Sequence, residues 1–415
     1  MPTDIKRLLM VMPYHQLARK AVETGFEVWA IWDPALQSQD YLLQVEEHAS
    51  LYLADFSDLE GLADLIRDVV TRHDIDAVVH VGAEATMVAA AEAAGSVALN
   101  RPQSLRILND KATMRATLNE HPEHRVVYQQ VDTVEAAVAV CSQGLGDIEQ
   151  ATLAPVIVKP ALSSGSRGVG LIGDMDDLEQ WRHRVEAAEI TGPFVVEEFL
   201  SGPEYSIETL TVEGRHHLIG VTAKETTGAP TFVETGHIHP APLSSADTSR
   251  LKDAAFALLD LAGYTFGPAH TEAILTERGV RIVESQARLG GDRLPAVIET
   301  ATGFDIEAAI FRSLAHRPLP QIKAYQYGAV GFFRFPPGEL TAEPDREAAV
   351  AWPWVRELKF PFTAGEVLPA AVHSGTRHGH VVVGGDTPQE VKERIATVTA
   401  HLGVHTRTNP EGAPE

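Results

Sequence analysis

The first hundred residues repeat one pattern, a short apolar run followed by an amphipathic helical stretch. Residues 5–12 (IKRLLMVM), 26–31 (FEVWAI) and 76–81 (DAVVHV) read as strands, because runs this apolar suit strands buried on both faces. Between and after them, apolar spacing predicts helices over 14–24, 59–73 and 85–94, with Gly25 where a helix ends in a left-handed residue. Consecutive β-α units need crossover connections, and parallel strands accommodate those. The chain is therefore expected to open with a parallel α/β sheet domain over residues 1–100, helices on both faces. The first turn, Met12-Pro13-Tyr14-His15-Gln16, carries no G-x-G-x-x-G, so this sheet is not an ordinary dinucleotide site.

Beyond it the pattern changes. Residues 100–120 read as a helical linker opened by Pro102 and closed by His121-Pro122. Strands are expected over 125–129 and 155–159, with helices over 133–142 and 176–188. From about residue 206 the chain is strand-rich (205–212, 216–223, 271–276, 280–285), with helices over 248–262 and 306–316. The tail adds strands over 329–335 and 381–383 and a helix over 388–402, and residues 409–415 read as disordered. The fold class is thus α/β and α+β multidomain, with boundaries at 1–100, 101–205, 206–330 and 331–415.

Four segments carry the chemistry. In 156–170 (VIVKPALSSGSRGVG) an apolar strand ends at Lys159, where a buried ammonium needs an anionic partner. The loop that follows has Ser163, Ser164 and Ser166 among Gly165, Gly168 and Gly170, so backbone N–H groups and hydroxyls can approach phosphate oxygens. It is not a P-loop, and alone it reads equally as a hairpin turn. In 194–208 (FVVEEFLSGPEYSIE) a strand reaching Glu197 and Glu198, then Phe199 and Leu200, offers backbone polar groups beside apolar surface, which suits an adenine ring. The next turn presents Glu204, able to accept from ribose hydroxyls. In 270–288 (HTEAILTERGVRIVESQAR) a hairpin turning at 276–279 places Glu272 across from Glu284, with Gln286 and Arg288 continuing that face at period two. Like charges side by side repel, and a divalent cation shared with phosphate oxygens relieves them. Lastly, Lys111 and Arg115 stand one helical turn apart, a pairing that alone reads as a solvated basic face and that a nearby anion would offset.

Taken in order, D-K-x-x-x-R-x-x-L, V-K-P with its Gly/Ser loop, E-E-F-L-x-G-x-E and E…E-x-Q-x-R make the chain resemble the ATP-grasp carboxylate–amine ligases. It is most similar to their L-amino-acid ligase (dipeptide-forming) and biotin-carboxylase-like branch, over nearly its whole length. The resemblance implies a pre-ATP-grasp domain over 1–100. It makes 101–205 the central subdomain, 206–330 the C-terminal subdomain and 331–415 an extension completing it. It further implies ATP and Mg²⁺ as cofactors, with Mn²⁺ able to substitute. Lys111 and Lys159 would contact phosphates. The loop with Ser163, Ser164, Gly165, Ser166 and Gly168 would close over them. Glu197, Glu198, Phe199 and Leu200 would receive adenine, and Glu204 the ribose. Glu272 and Glu284 would hold the metal, joined by Gln286 where the family usually has Asn. Arg288 and Lys159 would be catalytic, and Arg288, Gly290, Gly291 and Arg293 would meet substrate.

The reaction so implied is ATP-dependent joining of a carboxylate to an amine through an acyl phosphate, on amino-acid-like substrates, with ADP and phosphate released. No protein nucleophile is needed, consistent with a single cysteine, Cys141, and no G-x-S-x-G. Two alternatives stay open: an ATP-grasp carboxylase or formate-dependent purine-precursor transferase, and a non-catalytic ATP-binding module. A net charge of −23 disfavours nucleic acid and anionic membranes as partners. The single cysteine and the lack of a long apolar run point to the cytoplasm, with small-molecule carboxylates and amines as partners and a homodimer as the assembly. The 18 histidines show no zinc spacing. His373, Arg377, His378, His380, Phe332 and Arg334 are placed near a substrate pocket by their position in the last domain. Trp352 and Trp354 read as packing.

Overall fold

The computed structural model describes residues 5–82, 84–143, 155–162, 165–229 and 231–407. Four parallel strands open the chain, ordered Ser50–Leu53, Glu27–Trp32, Arg7–Val11 and Ala77–His80. Their apolar side chains, among them Leu8, Met10, Ile31 and Val79, are buried on both faces, as strands sandwiched between helices require. Gly25 caps the first helix at φ 110°. The strand Ser50–Leu53 and the helix Gln39–Glu46 ahead of it were not expected. The strand is four residues long with its ends exposed, which leaves little apolar signal.

The linker is two helices, not one. Pro102–Asn109 and Lys111–Asn119 break at Asp110, whose extended backbone lets its carboxylate accept from the Thr113 amide at 2.6 Å. That cap makes Lys111 the first residue of the second helix. A four-stranded antiparallel sheet follows, ordered Tyr128–Val131, Phe194–Glu198, Val156–Pro160 and Gly170–Ile172, backed by helices Val134–Gln143 and Met175–Ala187.

The largest layer is an eight-stranded antiparallel sheet. Its order is Gly279–Gln286, Gly267–Thr276, Glu204–Val212, Arg215–Thr226, Glu234–His239, Tyr327–Phe332, His380–Gly385 and Val355–Lys359. Helix Ser245–Ala262 buries Leu251, Leu258 and Leu259 against it, and helix Pro388–His401 covers its far end with Val391 and Val398. Strand Glu234–His239 and helix Leu294–Thr302 were not read from sequence. The N-terminal sheet is seated on this body by helix Ile306–Leu314, whose Phe311 joins Leu8 and Met10 in one core. Beside that core, Lys20 holds Asp305 and Glu307 at 2.7 Å. Trp352 and Trp354 pack on each other at 4.9 Å, as expected. The tail at 408–415 lies outside the described residues. Among the described residues, no helix is long and apolar enough to cross a membrane.

Candidate active site

The two antiparallel sheets face each other across a cleft of about 350 Å³, and the residues singled out in the sequence converge on it. Lys159 is the penultimate residue of its strand, Val156–Pro160, and is 4% exposed. Its ammonium contacts the Glu197 carboxylate and donates to the Val283 carbonyl at 3.1 Å. A bulge in the opposite hairpin, between Glu272 and Ala273, leaves Val283 as the extra residue in the pairing. Burial pushes the Lys159 ammonium below its ordinary pKa despite Glu197. Glu197 itself is buried, yet the Arg115 guanidinium at 2.9 Å and the Lys159 ammonium outweigh that burial and hold the carboxyl below its usual range. Arg115 is fully buried and also donates to the Ile282 carbonyl at 2.8 Å, tying the linker helix to the hairpin. The Glu197 carboxylate is thus committed to two cations. Next to it, Leu200 and the one-third-exposed Phe199 supply the apolar wall. Glu198 turns to the Val127 amide and Arg278.

Across the cleft, Glu272 and Glu284 are register partners in the hairpin, and both line the cavity. Each is balanced by a lysine. Lys111 reaches Glu284 at 2.9 Å, and Lys224 reaches Glu272 at 2.8 Å. Burial alone would favour the neutral acids, but Lys224 and His270 hold Glu272 well below the ordinary carboxyl range, and Lys111 holds Glu284 below it. Gln286 donates through Nε2 to Glu284 at 2.8 Å, while its Oε1 is buried without a hydrogen-bond partner among the described residues. Two carboxylates and an amide oxygen awaiting a donor are the hard-oxygen set that suits Mg²⁺ shared with phosphate oxygens. Among the described residues no three His, Cys, Asp or Glu side chains cluster as a metal site.

Lys224 was not anticipated. Its ammonium, nearly buried, lies 2.8 Å from Glu204, 2.8 Å from Glu272 and 3.5 Å from Glu234. Burial and the neighbouring Glu272 carboxylate outweigh Lys224 at Glu204 and push that carboxyl up to about 7. Glu208 and His270 form a second unanticipated pair. Although burial opposes the imidazolium, Glu208 raises the His270 pKa to about 10.

The Gly/Ser loop closes one side, where Gly165 and Ser166 line the cleft and Ser166 Oγ donates to the Phe232 carbonyl at 3.1 Å. Gly165 and Gly168 take φ of 67° and 78°, and a Cβ on Gly168 would lie 2.8 Å from Pro160 Cγ. Ser163 and Ser164 lie outside the described residues. At the far end, Arg288 faces the cleft with Gly291 and Asp292. Arg293 does not: it caps a helix at φ 64° and pairs with Glu357. Gly290 packs under the sheet, where a Cβ would lie 2.8 Å from Glu208. Asp292 lies 3.6 Å from His237, whose buried ring nitrogens have no hydrogen-bond partner among the described residues. Arg377 binds Asp292 and lies 3.6 Å over Phe332. The other C-terminal residues proposed for substrate are placed elsewhere. His373 caps a turn, His378 is buried against the Pro369 carbonyl, His380 pairs with Glu357, and Arg334 is exposed.

Residues 152–296 match the ATP-grasp domain family, and residues 331–407 match L-amino acid ligase C-terminal domain 2. An uncharacterised protein of Sinorhizobium fredii is 32% identical over 164 residues, 37% of this chain and 32% of that one. Alanine–anticapsin ligase of Bacillus subtilis is 28% identical over 228 residues, 49% of this chain and 46% of that one. The chain therefore spans about a third to a half of the length of these curated relatives. The crystal structure of an L-amino acid ligase from Bacillus licheniformis superposes with a TM-score of 0.77 at 20% identity, covering 98% of this chain and 100% of that one, and so shares its fold. The chain thus carries an ATP-grasp domain over residues 152–296 and an L-amino acid ligase C-terminal domain 2 over residues 331–407.

Proposed function

We propose that this protein is an ATP-dependent carboxylate–amine ligase that joins amino-acid-like substrates into an amide. The observation that carries the reading is the convergence of Lys111, Lys159, Glu272, Glu284, Gln286 and Arg288 on one cleft. The order of chemistry follows from what those groups can do. A substrate carboxylate attacks the γ-phosphorus of ATP, the P–O bond to ADP breaks, and an acyl phosphate forms. The amine of a second substrate then attacks the acyl carbon, phosphate leaves, and the amine gives up its proton.

Each of this chain's residues has a task in that sequence. Phe199 and Leu200 pack the base, and Glu204, its carboxyl held near neutrality, hydrogen-bonds the ribose. Lys111 and Lys159 bind phosphate oxygens. Arg288 meets the charge spreading over the transferring group, where positioned cations lower the barrier most. Gly165 and Ser166 shield the acyl phosphate from water. Glu272, Glu284 and Gln286 would hold Mg²⁺, which when bound supplies charge neutralisation at the phosphates. The cleft's far end, with Glu234, Asp292 and His237, is acidic and polar, which suits the ammonium of an amino acid.

The test is incubation with ATP, Mg²⁺ and pooled amino acids, scored by mass for new amides and by ADP release. Amides that appear only with ATP are expected. ADP release stimulated equally by bicarbonate or formate, with no amide formed, would overturn the reading in favour of a carboxylase or formate-using enzyme.

A further inference from the structure

Arg288 lies just past the end of the metal hairpin, at the seam where the N-terminal sheet meets the eight-stranded layer. Its guanidinium is not held by its own sheet. Nε donates at 2.6 Å to Glu84, which opens the helix Glu84–Ala94 of the N-terminal domain, and Nη1 donates at 2.9 Å to the Leu289 carbonyl. Among the described residues these are its hydrogen-bond partners, and the Nη2 group and the second Nη1 hydrogen are available to the cleft that Arg288 lines. The carboxylate also stands in the first helical turn, where the backbone dipole favours negative charge.

The seam that carries this contact is fixed at several points. Asn100 donates to the Phe266 carbonyl at 2.6 Å and accepts from the Thr265 and Phe266 amides at 3.0 and 3.1 Å. The Ala287 amide, one residue before Arg288, donates to Asn109 at 2.9 Å. An Arg side chain has enough rotamer freedom to lose aim without a second anchor.

We propose that Glu84 is a positioning residue for the transferred phosphoryl group: it holds Arg288 so that the remaining guanidinium N–H groups point at the place where charge develops. The proposal rests on the ligase reading for the identity of the reaction, yet it is tested on phosphoryl chemistry alone. In Glu84→Gln the neutral amide can turn its nitrogen toward Arg288, and the ion pair is lost. ADP release, with whichever acid stimulates it, is expected to lose about 10- to 100-fold in kcat while KM for MgATP stays within about twofold. Glu84→Asp, which keeps the charge one methylene short, should recover part of the loss. Binding of MgADP with aluminium fluoride, a mimic of the phosphoryl in transit, should weaken in Glu84→Gln by a similar factor while MgADP alone binds unchanged. In the double variant Glu84→Gln/Arg288→Met the rate should match Arg288→Met. Wild-type rates in Glu84→Gln, an effect confined to KM for MgATP, or a further loss in the double variant would each overturn the proposal. Because the fluoride measurement needs no amide product, failure to find an amide refutes the ligase reading and leaves this test standing.

Discussion

Replacing Lys224 by methionine is the most demanding perturbation the cleft suggests. The ammonium contacts Glu204 and Glu272 at 2.8 Å each and Glu234 at 3.5 Å, with its own side chain 6% exposed. At an effective dielectric near 20, each 2.8 Å contact amounts to about 6 kcal/mol of attraction before desolvation is counted. That sum is not the cost of the substitution, because a proton can take the place of the ammonium. Protonating a carboxyl of pKa 4.5 at pH 7 costs about 3 kcal/mol, which sets the scale for the first acid relieved. A single proton serves one acid rather than three, so Lys224→Met is expected to destabilise by about 3–5 kcal/mol, a large share of an ordinary folding stability. The sign with pH follows. In the variant the acids have raised pKa values, so the folded form keeps its stability at low pH and loses it as pH rises through them. The melting temperature, measured in chelator from about pH 5 to pH 8, should fall behind wild type increasingly toward pH 8. Millimolar Mg²⁺ should then narrow the gap by supplying the missing positive charge. A variant that melts with wild type at pH 8 in chelator, or a deficit that ignores both pH and Mg²⁺, would refute the account of Lys224 as counter-ion to these acids.

Three other outcomes are expected. Glu284→Gln should reduce ADP release at least about 100-fold while far-UV circular dichroism is unchanged, because the hairpin loses one of the two carboxylates proposed to hold Mg²⁺ and keeps its shape. Arg115→Met should lower thermal stability by about 3–5 kcal/mol, since it strips a buried carboxylate of one cation; adding Glu197→Gln should restore part of it, and a double variant worse than the single would contradict the pairing. Burial holds His80 and His239 down to about 3 and about 4, so between pH 6.5 and about 4 the unfolded chain takes up protons that the folded chain does not. Urea midpoints should drop across that window, and His239→Gln should flatten the drop.

The parts of this molecule legible in its sequence are those whose signal is local. Apolar runs and helical spacing located three of the four N-terminal strands and the helices His15–Thr24, Leu59–Arg72 and Glu84–Ala94 to within a few residues, because each element's burial is written in its own side chains. Strand Glu234–His239 was missed for the opposite reason. Its ETGHIH is polar in composition although five of its six residues are buried, since Glu234 and His237 face the cleft rather than a core. The helix Leu294–Thr302 carries Pro295 in its first turn and follows a left-handed Arg293, a start that reads as loop. In the site, Lys159, Glu272 and Glu284 were legible as charges embedded in buried strands. Lys224 was not: the apolar run stops at Ala223, which reads as a strand running into solvent, whereas the strand continues to Thr226. Glu84 and Arg288 are 204 positions apart, and each looks ordinary alone, one an acid in a first helical turn, the other a basic residue after a strand.

Those long-range pairs also account for how so many charges share one cleft. Glu197 has Arg115 and Lys159, Glu284 has Lys111, Glu272 has Lys224, Glu208 has His270, Glu84 has Arg288 and Asp292 has Arg377. The acids and bases thus balance largely within the protein, so a triphosphate entering alone would meet as much repulsion as attraction. On the proposed function, Lys111 turns from Glu284 to phosphate oxygens only once a divalent cation balances that carboxylate. Nucleotide affinity should therefore depend on the cation more steeply than simple screening of a triphosphate predicts. The same pairing explains why two acids can face each other in the hairpin without the cation: Lys111 stands beside Glu284 and Lys224 beside Glu272.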